Sequence, residues 1–317
     1  MKLKQSGILL LRISISILLL IFLFRMVDGR ALWQLIKESH KLDLFFAFVI
    51  VLIMDVLCFI RWDMLLKAAE VSVPFKTLLK SFSGGLFFNA FLPTSIGGDV
   101  VKTVDLAGHT QKGKEVASTV FLDRLSGYVA LVIVVVLACV FGWRYVQDQT
   151  VLLSVAFLAG VLICVLLVMF NRRVYSFVNN RLYSSKAGRI RSMITQVHEE
   201  IHHLGKKKKA LLLNLCLSLV IQLMSPASTY LICRALGFDI SFIYFLVFLP
   251  IIGAVTLLPV SIGGLGLRDA MTVYFFAKAG LGRDAAFAMS LTGFFITVIF
   301  AAAGGLYYVL TLRHRRV

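Results

Sequence analysis

Leu92-Pro93-Thr94-Ser95-Ile96-Gly97-Gly98 recurs 166 residues later as Leu258-Pro259-Val260-Ser261-Ile262-Gly263-Gly264. Each copy interrupts a long apolar stretch, 75–107 in the first case and 241–280 in the second. Proline ends the entering helix because it lacks an N–H and clashes with the preceding turn, and paired glycines allow positive φ and close backbone approach. Charge follows each break: Asp99 and Lys102 after the first, Arg268 and Asp269 after the second. The same offset carries the apolar run 44–66 onto the run 210–233. The chain therefore reads as one unit written twice.

Around the two breaks lie six uninterrupted apolar runs, roughly 7–26, 44–66, 116–142, 150–170, 210–233 and 284–311. Each reaches the ~20 residues that a helix needs to cross hydrocarbon. The whole chain of 317 residues is 59% hydrophobic and 15% charged, where a soluble domain carries about 25% charge. Its mean hydropathy is +0.90. A chain that uses lipid as solvent must satisfy its backbone internally, which leaves helices or closed barrels. Long unbroken runs, without strand-like alternation, select helices. Lys2 and Lys4 precede the run Ile8 to Phe24 much as in a secretory leader. That run is long for a leader and ends at Arg25 without a small-residue cleavage site, so it reads as a retained first span. The five cysteines lie in or beside apolar segments and form no C-x-x-C pair; they read as small reduced hydrophobes.

The net charge of +17 is concentrated between the apolar runs. This placement points away from nucleic acid and toward a cytoplasmic membrane face with anionic headgroups. Arg172, Arg173, Arg181, Lys186, Arg189, Arg191 and the run Lys206 to Lys209 face only Glu199 and Glu200, which puts the segment 172–209 on the cytoplasmic side. Lys2, Lys4, Arg313, Arg315 and Arg316 place both termini there too. The loops 27–43, 143–149 and 234–240 balance acids with bases and read as outer. Threading the spans through these sides makes each interrupted stretch start and end on one face. Each is thus a re-entrant hairpin, or a pair of short spans. Non-helical backbone at that depth requires cover from protein or a water-filled cavity.

The expected fold is an all-α integral membrane protein with six transmembrane helices and two re-entrant helical hairpins, forming a single transmembrane domain over 1–317. Its half-repeats cover approximately 1–142 and 150–311, and the basic amphipathic segment 172–209 lies within the second. Three spans separate corresponding elements, so the halves have opposite topology, a plan common among secondary transporters.

The two turns are also the main candidates for function. A helix that starts after Gly97-Gly98 or Gly263-Gly264 presents free N–H groups and a positive dipole end, both suited to an anion. Small residues also serve close helix packing, which is the alternative use of these turns. Asp123 and Arg124 lie inside the third span, as Asp55 and Arg61 lie inside the second. Each such charge costs at least ~2.5 kcal/mol unless paired or hydrated. Asp123 and Arg124 are consecutive, so they point about 100° apart and need not pair with each other. Asp99 and Lys102 have i, i+3 helical spacing. Asp99, Lys102, Asp123 and Arg124 read either as the lining of a polar cavity or as buried ion pairs that fix register. Arg12 and Arg61 lie nearer span ends, where snorkelling is expected.

His198-Glu199-Glu200-Ile201-His202 matches the zinc-protease pattern H-E-x-x-H, but no clear third ligand follows. Ile190, Ile194, Val197, Ile201 and Leu204 make this an amphipathic helix suited to a membrane surface. No metal is expected. No cofactor is expected either, since phosphate-loop and dinucleotide fingerprints are missing.

Three features carry a family resemblance. They are Asn89-Ala90-Phe91-Leu92-Pro93 running into Gly97-Gly98-Asp99 with Lys102; Asp123-Arg124-Leu125; and Leu258-Pro259 running into Gly263-Gly264-Leu265-Gly266 with Arg268-Asp269. Together they resemble the flippase-like family named after the transmembrane region of lysylphosphatidylglycerol synthases. The chain departs from the usual pattern at Lys102, where arginine is common, and at Asp123 and Asp269, where glutamate is common. The resemblance implies an inner-membrane protein that moves lipids or lipid-linked intermediates between leaflets. Full-length synthases add a soluble catalytic domain; here Val317 follows the last span directly, so aminoacyl transfer is not expected.

The resulting expectation is a lipid translocase whose anionic or phosphate-bearing headgroup docks where the turns meet. Its site would include Asn89, Pro93, Gly97, Gly98, Pro259, Gly263 and Gly264. Lys102, Arg124 and Arg268 would be the electrostatic partners. Asp99, Asp123 and Asp269 would position those bases or carry a coupling proton. The alternatives are a membrane transferase acting on polyprenyl-linked substrates and a non-catalytic partner of a lipid-modifying enzyme. Charges delivered from both faces favour transport.

Overall fold

The apolar runs among the described residues fold as helices, as the need to satisfy every backbone group in lipid demands. The computed structural model describes residues 37–91, 97–145, 147–171, 174, 176, 207–256 and 266–313. The first apolar run, the turns at 92–96 and 257–265, the H-E-x-x-H segment and most of the basic stretch lie outside these residues. Among the described residues there are nine α-helices and no strands. Five are long and apolar enough to cross a membrane: α1 (Lys41–Ala68), α4 (Gly113–Phe141), α5 (Gln149–Phe170), α6 (Lys208–Ala235) and α9 (Arg283–Arg313). They correspond to five of the six expected spans. The other four are α2 (Phe75–Phe91), α3 (Gly97–Thr110), α7 (Phe242–Thr256) and α8 (Leu267–Lys278). At 12 to 17 residues they fall short of a span.

The helices α1 and α6 lie side by side and antiparallel. The His40 N–H donates to Ala235 O (2.7 Å) at one end, and Lys207 Nζ donates to Glu70 Oε1 (2.8 Å) at the other. Between them, Ser228 Oγ donates to Ala47 O and Arg61 Nη1 to Ser218 Oγ. The short helices pair as hairpins. Lys80 (3.0 Å) and Ser81 on α2 both bond Asp105 on α3, and Asn89, further along α2, meets Gly98 at the start of α3. In the second pair Phe245 stacks on Phe276 and Phe248 on Phe275, with centroids 4.9 and 5.4 Å apart.

The bases of the hairpins sit at opposite ends of the bundle. Lys112 Nζ donates to Glu70 O (2.8 Å), which places the first base at the Glu70–Lys207 end. Ile243 packs on Gly142, and Lys278 Nζ donates to Asp148 Oδ2 (2.7 Å), which places the second at the His40–Ala235 end. Asp148 also caps α5 by accepting from the Thr150 and Val151 N–H groups. The Lys278 hydrogen bond is the main reason its carboxyl is held below the usual carboxylate range.

Each hairpin leans on the last long helix of the other half: α2 packs on α9, and α7 packs on α4. Exchanging α1 with α6, α2 with α7, α3 with α8 and α4 with α9 maps the main packings among these eight helices onto one another. Small residues permit the closest of them. Gly304 meets the Ser83 backbone, and Gly84 and Gly305 meet the rings of Tyr308 and Phe87, as expected where helices associate without a hydrophobic driving force.

Gly98 is the tightest point of the first hairpin, because a side-chain carbon there would overlap the Gly85 carbonyl oxygen and the Asn89 amide. Overpacking of this kind costs about 1–3 kcal/mol. Gly98→Ala is therefore expected to lower thermal stability in detergent by that amount, whereas Gly108→Ala, with open space around it, is expected not to. Equal melting of the two variants would contradict the close approach.

Candidate functional site

α3 begins directly after the first break, and its first turn exposes N–H groups that need acceptors. Asn89 Oδ1, on α2, accepts the Gly98 N–H at 2.9 Å. Asn89 thus caps α3 from the opposite limb. Asp99 adds negative charge to the same first turn, where the helix dipole favours it, and its Oδ2 accepts from Arg124 Nε at 2.7 Å. Arg124 belongs to α4, so this pair ties the hairpin to a span.

Asp123, the neighbour of Arg124, faces elsewhere. It receives a fork from Arg61 on α1, Nε to Oδ1 at 2.7 Å and Nη2 to Oδ2 at 2.9 Å. Such bidentate, charge-assisted contacts are among the strongest hydrogen bonds. Arg61 also donates to Ser218 on α6 at 2.9 Å, and the Ser218 hydroxyl reaches Ser126 at 3.3 Å. The expected snorkelling of Arg61 is thereby corrected: it is buried, 7% exposed, because its guanidinium is the counterion of Asp123.

Lys102 stands apart. It is 9% exposed, and its ammonium lies 4.6 Å from the Phe82 ring centroid and 5.3 Å from that of Trp62. Gly85 leaves the notch that its aliphatic stem occupies. Among the described residues it makes no ion pair at hydrogen-bond distance, because Asp99 and Asp123 are held by arginines.

The second cluster forms at the start of α8. Gly266 adopts φ 76°, a left-handed conformation suited to glycine. Its N–H donates to Asp269 Oδ2 at 3.0 Å, as an acid at the third helical position does in a capping box. Asp269 is fully buried. Its other oxygen accepts from Arg268 Nη2 (2.7 Å) and Ser290 Oγ on α9 (2.6 Å). Arg268 lies over the Phe294 ring, 4.9 Å from its centroid.

Two cavities adjoin these bases. The first is an apolar groove of about 500 Å³ between α4, α5 and α7, with Arg124 and Tyr128 as its polar members beside residues such as Phe121, Leu125, Leu162 and Val165. The second holds about 250 Å³ among α1, α6, α7, α8 and α9, with a mixed lining in which Arg268, Ser225, Thr229, Ser290 and Thr297 stand among apolar side chains such as Val51, Leu249 and Ile252. The shared polar cavity was expected where the segments 92–96 and 257–265 meet, outside the described residues; among those described, Arg124 lines the first space and Arg268 the second, on either side of α7. Asn89, Gly98, Asp99 and Arg124 come together, and so do Arg268 and Asp269. Asp123 turns away from this group and pairs with Arg61, which links it to Ser218 on α6. Gly97 is buried at the start of α3. Pro93, Pro259, Gly263 and Gly264 lie outside the described residues.

Tyr128, Ser218 and Ser290 were not anticipated, since a hydroxyl in an apolar helix carries no sequence pattern of its own. The five cysteines are free. Among the described residues no group of His, Cys, Asp and Glu is placed to hold a metal.

The chain belongs to the family described as the lysylphosphatidylglycerol synthase TM region, which it matches over residues 9–305. It is similar to a UPF0104 membrane protein of Pyrococcus horikoshii, 23% identical over 256 residues that cover 74% of this chain and 75% of that one. A UPF0104 membrane protein of Methanothermobacter thermautotrophicus is 24% identical over 302 residues, covering 88% and 87% respectively. No solved structure matches the chain. It is thus a membrane protein with several membrane-spanning helices.

The two arginine pairs differ in how fully they are enclosed, and their variants should differ accordingly. The Arg61 side chain is 9% exposed, whereas that of Arg124 is 39% exposed. Asp123→Asn strands a buried guanidinium and is expected to cost about 3–5 kcal/mol. Asp99→Asn leaves a guanidinium that is free to turn into the open groove, with a loss on the order of 1 kcal/mol. Denaturant unfolding in micelles measures both, and equal losses would show that the pairs share one environment.

Proposed function

We propose that this protein moves a lipid with an anionic, phosphate-bearing headgroup between the leaflets of the cytoplasmic membrane. The observation that carries this reading is the groove between α4, α5 and α7, apolar along its walls and carrying the Arg124 guanidinium and the Tyr128 ring. Its volume of about 500 Å³ falls in the roughly 300–1,000 Å³ range of ligand sites. An apolar wall accepts acyl chains, and a planar guanidinium matches phosphate oxygens. Lys102, Arg124 and Arg268 are the headgroup partners; Asp99, Asp123 and Asp269 hold bases in place.

The inverted-repeat reading supports movement between leaflets. It draws on the antiparallel α1–α6 pair and on the two hairpin bases at opposite ends of the bundle. In this reading each hairpin enters the bilayer from one face and returns to it. Pro93, Gly97 and Gly98 on one side, and Pro259, Gly263 and Gly264 on the other, form the turns that aim helix N-termini inward. The Glu70–Lys207 end, next to the basic segment 172–209, faces the cytoplasm with both termini.

Reconstituted vesicles carrying a fluorescent phosphatidylglycerol probe test the proposal. The wild type is expected to expose the probe to the outer leaflet. Arg124→Ala and Arg268→Ala, compared at equal amounts of folded, reconstituted protein, are expected to slow this at least tenfold. A wild type that moves no probe, or variants that match it, would overturn the proposal.

A further inference from the structure

Among the described residues Gly253 alone lines both cavities, the Arg124 groove on one side of α7 and the Arg268 cavity on the other. A helical glycine usually marks close packing, as Gly304 does against the Ser83 backbone. At Gly253 a side-chain carbon would meet nothing within 4 Å. Glycine is a poor helix former, so here it weakens α7 without a packing return. Pro250, which lacks a backbone N–H, lies one turn earlier, and α7 ends at Thr256. The wall between the cavities is thus bare backbone at its shared point.

The Arg124 groove offers an acyl chain its walls and a headgroup one guanidinium, while Arg268 lies on the other side of α7. The Arg268 side holds about 250 Å³, below the roughly 300 Å³ at which ligand sites begin. The Arg124 side is larger, but it is walled by aliphatic and aromatic side chains. The Arg268 side adds a second guanidinium and several hydroxyls, set among aliphatic side chains such as Val51, Leu249 and Ile252, to the largely apolar groove.

We infer that the two cavities form one binding site for a single anionic amphiphile, with headgroup and chain divided across α7 at Gly253. Gly253 sets the width of the crossing, so any larger side chain there narrows it. This inference deepens the translocase reading and rests on it for the class of ligand, but binding and movement are separable in the test.

Native mass spectrometry with phosphatidylglycerol titrated onto the purified protein gives stoichiometry and affinity. One lipid per chain is expected, and Arg124→Ala and Arg268→Ala should each weaken that same lipid. Gly253→Leu is expected to weaken it at least tenfold while melting no lower than the wild type, because leucine favours the helix. Gly160→Leu on α5, also surrounded by open space and outside both cavities, should bind as the wild type does. Two lipids lost one at a time by the two arginine variants would overturn the single site. So would Gly253→Leu binding as tightly as Gly160→Leu. If binding follows these expectations while vesicles show no movement, the shared site stands and the translocase reading falls.

Discussion

A charge inside hydrocarbon must find its counterion within the protein, and this requirement fixes how the helices of this bundle meet. The Arg61–Asp123 fork joins α1 to α4, and Ser218 extends it to α6. Asp99 with Arg124 fastens α3 to α4, Asp105 with Lys80 closes the first hairpin, and Asp269 with Ser290 fastens α8 to α9. Removing one partner of a buried pair leaves an uncompensated charge worth about 3–5 kcal/mol. Helices that hydrocarbon alone would let slide therefore have one register. The glycine contacts between α2 and α9 bring the backbones close enough to keep that register.

Much of this frame is legible in the sequence, because span length and proline-glycine breaks are local signals. The runs that became α1, α4, α5, α6 and α9 announce themselves by about 20 apolar residues each. The repeated seven-residue pattern marks where α2 and α7 stop. The partners of the charges are not legible in the same way. Arg61 and Asp123 lie 62 residues apart, and only the packing of α1 on α4 brings them together. Proximity to a span end suggested solvent for Arg61, and burial decided otherwise. Asn89 belongs to the pattern before Pro93, yet its capping of α3 depends on the hairpin closing back on itself. Gly253 carries no sequence signal, since its role depends on empty space on both sides of α7.

The two halves share a frame but differ in electrostatics. Lys102 and Arg268 hold equivalent positions, 166 residues apart. Arg268 is held by the carboxylate of the next residue, whereas Lys102 rests on the rings of Phe82 and Trp62 without a carboxylate at hydrogen-bond distance among the described residues. The joint between the second hairpin limb and the last span is an ion pair in one half, Asp99 with Arg124. In the other half an acid meets a hydroxyl there, Asp269 with Ser290. Helices that pack alike around the two clusters thus carry different charges there.

The central claim is that the hairpins enter the bilayer from opposite faces. Gly108 lies near the base of the first and Gly282 at the base of the second, both exposed and both with room for a side chain. The direct measurement is labelling of Gly108→Cys and Gly282→Cys, in a background without the native cysteines, by a membrane-impermeant thiol reagent added to intact cells. The account predicts that position 282 reacts at once and that position 108 reacts only after the membrane is opened. Reaction of both from the same side would contradict it.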